Sequence, residues 1–257
     1  VQKMSKSILD LSGQVAIVTG GGTGLGQAIA VEFARAGADL TVSSRNPAHL
    51  ETTAHQVQAL GRKCLALPTD VREPEQVKNM VQKTLDEYGR IDVMVNNAGA
   101  NFFVPAEKMS PNAWNTIVAI NLTGTFLCCQ AVFDTMVKQK SGVIINMSSV
   151  AGRDGDPAAA HYGAAKAGII NLTKTLAMVW GKYGIRVNCI APGPIATEGA
   201  RWAQDPKHPG FHQGLCRGGR PEEVAYPTLF LASKGASYIN GVTLWVDGAV
   251  ELGRSQG

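Results

Sequence analysis

Short runs of consecutive apolar and β-branched residues recur along this chain. Between them lie longer stretches in which apolar residues return every third or fourth position. The short runs predict strands at Val15–Thr19, Leu40–Ser44, Cys64–Leu67, Val93–Asn96, Val143–Met147, Arg186–Ile190 and Thr243–Val246. Most lack the alternation of a half-exposed strand. A strand covered on both faces needs apolar side chains on both, so the runs predict a parallel sheet between helical layers. The longer stretches predict helices. In Leu25–Ala36, the residues Ile29, Phe33 and Ala36 share one face. Pro47–Leu60 follows Asn46 as a cap and places proline at the first helical position; Pro74–Tyr88 repeats the device, with Val77, Val81 and Leu85 on one face. Segments 112–138, 161–180 and 221–232 complete the set. Alternating β and α units with right-handed crossovers imply an α/β fold: one doubly wound sheet of about seven mostly parallel strands, with helices on both faces. Residues 1–257 read as a single domain, since no repeat, linker or low-complexity stretch divides them. Residues 193–220 break the rhythm. A long irregular segment after a late strand predicts a substrate lid.

Composition narrows the function classes. A chain of 257 residues buries enough apolar surface to fold without a metal or a disulfide. Its 45% hydrophobic and 17% charged residues are those of an ordinary globular protein. The net charge is +4, but the basic residues are scattered, which argues against a nucleic-acid partner and suits an anionic cofactor or substrate. The five cysteines, Cys64, Cys128, Cys129, Cys189 and Cys216, have no metal-ligand spacing. Free thiols in a reducing compartment are expected, and no metal site. Val1–Asp10 is short and polar, and no uninterrupted apolar run is long enough to span a bilayer. A cytoplasmic location with no membrane partner is the expectation.

Candidate chemistry gathers at the carboxyl ends of the predicted strands, where open parallel sheets bind ligands. The first strand runs into Thr19-Gly20-Gly21-Gly22-Thr23-Gly24-Leu25-Gly26 and then a helix. Glycines let the backbone turn sharply and approach a pyrophosphate, and the helix start offers unpaired N–H groups. The spacing Gly20, Gly24, Gly26 departs from the commonest dinucleotide fingerprint. Asp70-Val71 follows the third strand and Asn96-Asn97-Ala98-Gly99 the fourth. Singly each could be a cap or a turn; at successive strand ends they favour a shared nucleotide site. Tyr162 and Lys166 stand four apart, so on a helix they share a face. A tyrosine titrates at about pH 10, and a nearby ammonium favours the phenolate. Such a phenol can give a proton to a carbonyl oxygen in reduction and take it back in oxidation.

The Thr19–Gly26 turn, Asn96–Gly99, Tyr162-x-x-x-Lys166 and Pro192-Gly193 together resemble the short-chain dehydrogenase/reductase family, in family order and spacing over nearly the whole chain. The resemblance implies a Rossmann-type domain, a homodimer or homotetramer, and contacts to the dinucleotide from Gly20, Thr23, Gly24, Leu25, Gly26, Asp70, Val71, Asn97, Ala98 and Gly99. It implies that Pro192, Gly193, Ile195 and Thr197 lie against the nicotinamide and fix the ring face offered. It also implies a catalytic set of Asn121, Ser149, Tyr162 and Lys166. In that set Ser149, thirteen positions before the tyrosine, orients the substrate oxygen. Lys166 holds the ribose, and Asn121 holds a water linking the lysine to solvent. Ser148 reads as a neighbour that caps backbone, and His161 as a helix-start residue.

The second strand ends in Ser43-Ser44-Arg45-Asn46, with Ser44 where an acid would select NAD(H). Arg45 suits a 2′-phosphate by charge-assisted hydrogen bonds, so NADP(H) is preferred and NAD(H) is the alternative. The substrate is expected to be a small carbonyl or alcohol compound, with acyl thioesters among the candidates. Its wall would comprise Asn101, Phe102, Phe103, Arg153 to Asp156, Trp202 and Phe211. The basic residues Arg201, Lys207, His208, His212, Arg217 and Arg220 would greet an anionic carrier or be solvated. Gly99–Phe102 and Pro194–Gly199 are also similar to 2,4-dienoyl-CoA reductases, which generally lack the tyrosine. A non-catalytic NADPH-binding protein is the alternative from another class, and the complete catalytic set argues against it.

Overall fold

The computed structural model describes residues 7–205 and 214–249. The expected wall and lid residues Lys207, His208, Phe211 and His212 lie outside them, as does the side chain of Trp202. Seven parallel strands form one sheet: β1 (Val15–Thr19), β2 (Asp39–Ser44), β3 (Cys64–Pro68), β4 (Val93–Asn96), β5 (Gly142–Met147), β6 (Ile185–Pro192) and β7 (Thr243–Val246). Their order in space is β3-β2-β1-β4-β5-β6-β7. The order reverses between β1 and β4, which opens a crevice at their carboxyl ends. The helices are α1 (Gly24–Arg35), α2 (Pro47–Ala59), α3 (Pro74–Tyr88), α4 (Pro111–Val118), α5 (Gly124–Gln139), α6 (Ala160–Trp180) and α7 (Pro221–Ala232).

The continuous apolar runs are explained by two cores, one on each face of the sheet. On one face Ile29, Ala30 and Phe33 of α1, Leu50 and Val57 of α2, and Val224 and Leu229 of α7 pack on Val18, Leu40, Val42 and Val95. On the other, Val77 and Met80 of α3, Cys128, Val132 and Met136 of α5, and Leu176 of α6 pack on Ile17, Met94, Ile144 and Val187. Each fully buried side chain of this size contributes roughly 1.5–3 kcal/mol. The caps read from sequence form: Asn46 Oδ1 accepts from Ala48 N at 3.1 Å, and Pro47 opens α2.

The stretch expected as one helix over 112–138 is two helices joined by a π turn at Ala119–Thr123. Nothing in the sequence breaks the helical pattern there, because a π turn needs no proline. Taken together, Pro111–Gln139 is by length and composition apolar enough to cross a membrane. Its apolar residues instead include Ile117, Cys128, Cys129, Val132 and Met136, which are buried within the fold. Cys128, Cys129 and Cys189 are buried, Cys64 is half-buried and Cys216 is exposed, all of them free thiols.

Candidate active site

The crevice beyond β1 and β4 is an open cleft of about 650 Å³. Its floor is the glycine-rich turn. Gly20 (φ 63°) and Gly24 (φ 55°) adopt the left-handed region. Gly26 is needed for another reason: a β-carbon there would lie 2.1 Å from Gly20 O and 2.5 Å from Asn97 Nδ2. The turn and the end of β4 are therefore in direct contact. Asn97 Nδ2 donates to Thr19 O (3.0 Å) and Gly20 O (3.2 Å), and Thr19 Oγ1 accepts from the amides of Asn97 and Ala98, both at 3.1 Å. At the head of α1, Thr23 is extended and makes no side-chain cap, and no acidic residue sits in the first turn. The positive end of the helix is left to an anion in the cleft.

Every dinucleotide contact expected from sequence lines this cleft except Gly26, which lies beneath the turn. Ser149, Tyr162 and Lys166 line it as well. Asn121 is fully buried, set by the π turn. Its Nδ2 donates to Ile117 O (2.9 Å) and Ala100 O (2.8 Å), while its Oδ1 has no hydrogen-bond partner. A β-carbon on Gly99 would lie 2.7 Å from that Oδ1 and 3.6 Å from Lys166 Nζ, so the two groups converge in front of Gly99.

The two serines make different contacts. Ser149 Oγ caps a short 3₁₀ turn by accepting from Ala151 N at 3.2 Å. Ser148 Oγ donates to Lys166 O at 2.8 Å and so anchors α6 to the end of β5. Both serines line the cleft, Ser148 almost fully buried and Ser149 more open.

Lys166 is buried and donates from Nζ to Met147 O at 2.8 Å; Nζ stands 5.4 Å from the centre of the Tyr162 ring. Burial pushes its ammonium down to about 8, with the Cys189 thiol opposing weakly. Burial likewise pushes the Tyr162 phenol up, and a hydrogen bond with Ser149 pulls it back. Sequence reasoning expects a lowered phenol. In the protein alone desolvation outweighs every favourable contact, because a phenolate in an apolar wall loses its hydration.

The lysine makes a checkable pH dependence. Between about pH 8 and its usual value near 10.5, the unfolded chain holds a proton that the folded chain has released. Stability therefore rises with pH across that window, by at most roughly 3 kcal/mol from this group. Urea denaturation of the dinucleotide-free protein and of Lys166→Met should show the unmodified chain gaining on the variant from pH 8 to pH 10. A difference constant over that range contradicts the assignment.

At the end of β2, Ser44 Oγ donates to Asn46 O at 3.0 Å, and Arg45 is exposed at the rim. Asp70, just after β3, accepts from Arg72 Nε on both carboxylate oxygens, at 3.0 and 3.1 Å, which lowers its carboxyl. Two residues here escape the sequence reading. His49 lines the cleft from the first turn of α2, and Asn46 Nδ2 lies 3.3 Å from its Nε2. Its place three residues after the Asn46 cap is the signal that points to it, because that turn faces the glycine-rich loop. Arg72 is the other; only its neighbour Asp70 carried a signal.

Of the residues expected to wall the substrate, Phe102 and Phe103 are exposed, and Arg153 pairs with Asp154 at 2.9 Å and stacks 4.6 Å over the Trp245 ring. Arg217 pairs with Glu223 at 2.7 Å, so this part of the expected basic lid is neutralised. Among the described residues no group of three or more His, Cys, Asp or Glu could hold a metal ion.

The model of the family described as short chain dehydrogenase matches residues 14–207. A peroxisomal 2,4-dienoyl-CoA reductase [(3E)-enoyl-CoA-producing] of Danio rerio is 40% identical, over 94% of this chain and 83% of its own length. A 3-oxoacyl-[acyl-carrier-protein] reductase of Synechocystis sp. is also 40% identical, over 94% of this chain and 98% of its own. Among solved structures, a 7α-hydroxysteroid dehydrogenase complexed with NADH and 7-oxo glycochenodeoxycholic acid superposes with a TM-score of 0.91 at 31% identity, covering 95% of this chain and 97% of that one.

Proposed function

The chain belongs to the short-chain dehydrogenase/reductase family, and from that footing we propose that it is an NADP(H)-preferring enzyme interconverting a carbonyl and a secondary alcohol. The observation that carries the reading is the meeting of Tyr162, Ser149 and Lys166 in one wall of a cleft whose floor is the glycine-rich turn. The cradle beneath Gly26 and the uncapped head of α1 fit a dinucleotide pyrophosphate. When bound, the dinucleotide supplies the hydride to the carbonyl carbon. Tyr162 gives its phenolic proton to the oxygen that becomes the hydroxyl, and takes it back in the oxidative direction. Ser149 holds that oxygen. Lys166 binds the nicotinamide ribose and opposes the burial that raises the phenol. Asn121 turns its unpaired Oδ1 toward the lysine and holds the proton path open. Pro192, Gly193, Ile195 and Thr197 orient the ring. Homo-oligomeric assembly, a single domain, a cytoplasmic location and a substrate lid over 193–220 belong to the same reading.

A second reading is reduction of a conjugated double bond, favoured by the 40% identity to a dienoyl-CoA reductase. The presence of Tyr162 beside Ser149 supports carbonyl chemistry over it. A screen of NADPH and NADH consumption with 3-oxoacyl thioesters, cyclic ketones, oxo-steroids and 2,4-dienoyl thioesters decides between them. Consumption with an oxo compound is expected. Consumption with the dienoyl thioester alone overturns the proposal.

The cofactor preference rests on Ser44 and Arg45. A carboxylate at Arg45 would repel a 2′-phosphate and remove a charge-assisted bond worth about 1.5–3 kcal/mol. Arg45→Asp should raise the KM for NADPH by about 10- to 100-fold and leave that for NADH little changed. Equal KM shifts for the two dinucleotides in steady-state assays would contradict the assignment.

A further inference from the structure

His161 stands immediately before the proposed acid/base, and no step above uses it. Helix α6 opens poorly. Its N-cap is Ala159, which has no side chain able to accept from the first turn. Gly163 N donates to Ala159 O at 2.9 Å, which leaves the amides before it without helical partners. One of these, Tyr162 N, donates to the His161 ring at Nδ1, 2.8 Å away. The ring thus does the work of the missing cap, and does it on the backbone of Tyr162 itself.

The same ring reaches a second element. It is 0% exposed and packs edge-on against Phe102, with centroids 4.7 Å apart and planes at 90°. Phe102 belongs to the segment after β4 whose Ala100 and Asn101 line the cleft. That segment is also clasped to the approach of α6, where Val104 N donates to Ala158 O at 2.7 Å.

A third observation separates this residue from an ordinary cap. With Nδ1 accepting, a neutral ring carries its proton on Nε2. Nε2 is buried and has no hydrogen-bond partner. A serine, aspartate or asparagine would satisfy a helix start without burying an unpaired N–H. Helix stability alone therefore does not account for a histidine here. What the ring adds is the rigid join between the Tyr162 amide and the Phe102 wall.

We infer that His161 is a positioning residue: it fixes the start of α6 against the Phe102 segment and thereby sets the Tyr162 phenol relative to the bound carbonyl. The inference rests on the proposed role of Tyr162. It predicts that loss of the Nδ1 acceptor acts mainly on turnover and little on dinucleotide affinity, since the glycine-rich floor lies on other elements and Lys166 is anchored separately to Met147 O at 2.8 Å.

The test uses the full chain and two variants. His161→Phe keeps the ring against Phe102 and removes the acceptor. His161→Asn offers Oδ1 where Nδ1 stood and removes most of the ring. With NADPH and the oxo compound turned over fastest in the screen, His161→Phe should lower kcat by about 10- to 100-fold, with NADPH affinity within about twofold. His161→Asn should recover about half or more of the lost rate on a logarithmic scale. The Tyr162 phenolate is followed in parallel, as the near-ultraviolet difference between each protein and the same protein carrying Tyr162→Phe. In His161→Phe its titration should move upward by about one pH unit as the phenol leaves Ser149. An unchanged kcat and phenolate titration in His161→Phe overturns the inference. So does an equal fall in both variants that follows only their thermal stability. If the unmodified chain consumes dinucleotide with no oxo compound, the carbonyl reading fails. The phenolate titration then still decides whether His161 positions Tyr162.

Discussion

Replacing Tyr162 by phenylalanine should lower kcat for carbonyl reduction by about 100- to 10,000-fold while NADPH still binds. The substitution removes one oxygen and leaves the ring, so packing is almost unchanged. What disappears is the proton that the substrate oxygen must receive as the hydride arrives. Ser149 cannot replace it: an alkyl hydroxyl is a far weaker acid than a phenol, and its O–H serves to hold the same oxygen while its lone pair caps the turn after β5 by accepting from Ala151 N. Lys166 cannot replace it either, because its Nζ is buried and directed to Met147 O at 2.8 Å. Steady-state rates of the two proteins at equal NADPH occupancy check the prediction. A variant within about twofold of the unmodified chain would remove Tyr162 from the chemistry.

The second large effect is expected at Gly26. A β-carbon placed there meets Gly20 O at 2.1 Å and Asn97 Nδ2 at 2.5 Å, and neither atom can give way alone. Gly20 O belongs to the turn itself, and Asn97 Nδ2 ties that turn to β4 through hydrogen bonds of 3.0 and 3.2 Å. Gly26→Ala should therefore displace the pyrophosphate floor. NADPH affinity should fall by about 100-fold or more, with about 1–3 kcal/mol lost from stability by overpacking. Fluorescence titration with NADPH and thermal unfolding read the two effects separately. A variant that keeps its affinity would show that the floor binds no phosphate.

The sheet was legible because strands buried on both faces must be apolar throughout, and because Asn46-Pro47 and Pro74 mark where helices begin. The cleft was legible because a parallel sheet sends every carboxyl end to one side, so Gly20–Gly26, Asp70 and Asn97 had to meet there. The break at Ala119–Thr123 was not, since a π turn arises from helix geometry without a breaker residue. His49 and Arg72 make local contacts with Asn46 and Asp70, and His49 acquires its meaning only when the fold sets it against the cleft. The upward displacement of the phenol was hidden for the same reason: desolvation depends on everything packed around it.

The chemistry itself is tested most directly by where the hydride goes. The chain is mixed with NADPH carrying deuterium at the transferred position and with matched 3-oxo, cyclic-ketone and 2,4-dienoyl substrates, and the products are analysed by mass and by NMR. Deuterium on a carbon that bears a new hydroxyl group is the expected result, absent when Tyr162→Phe is used. Deuterium found only on a former alkene carbon, at a rate unaffected by Tyr162→Phe, would contradict it.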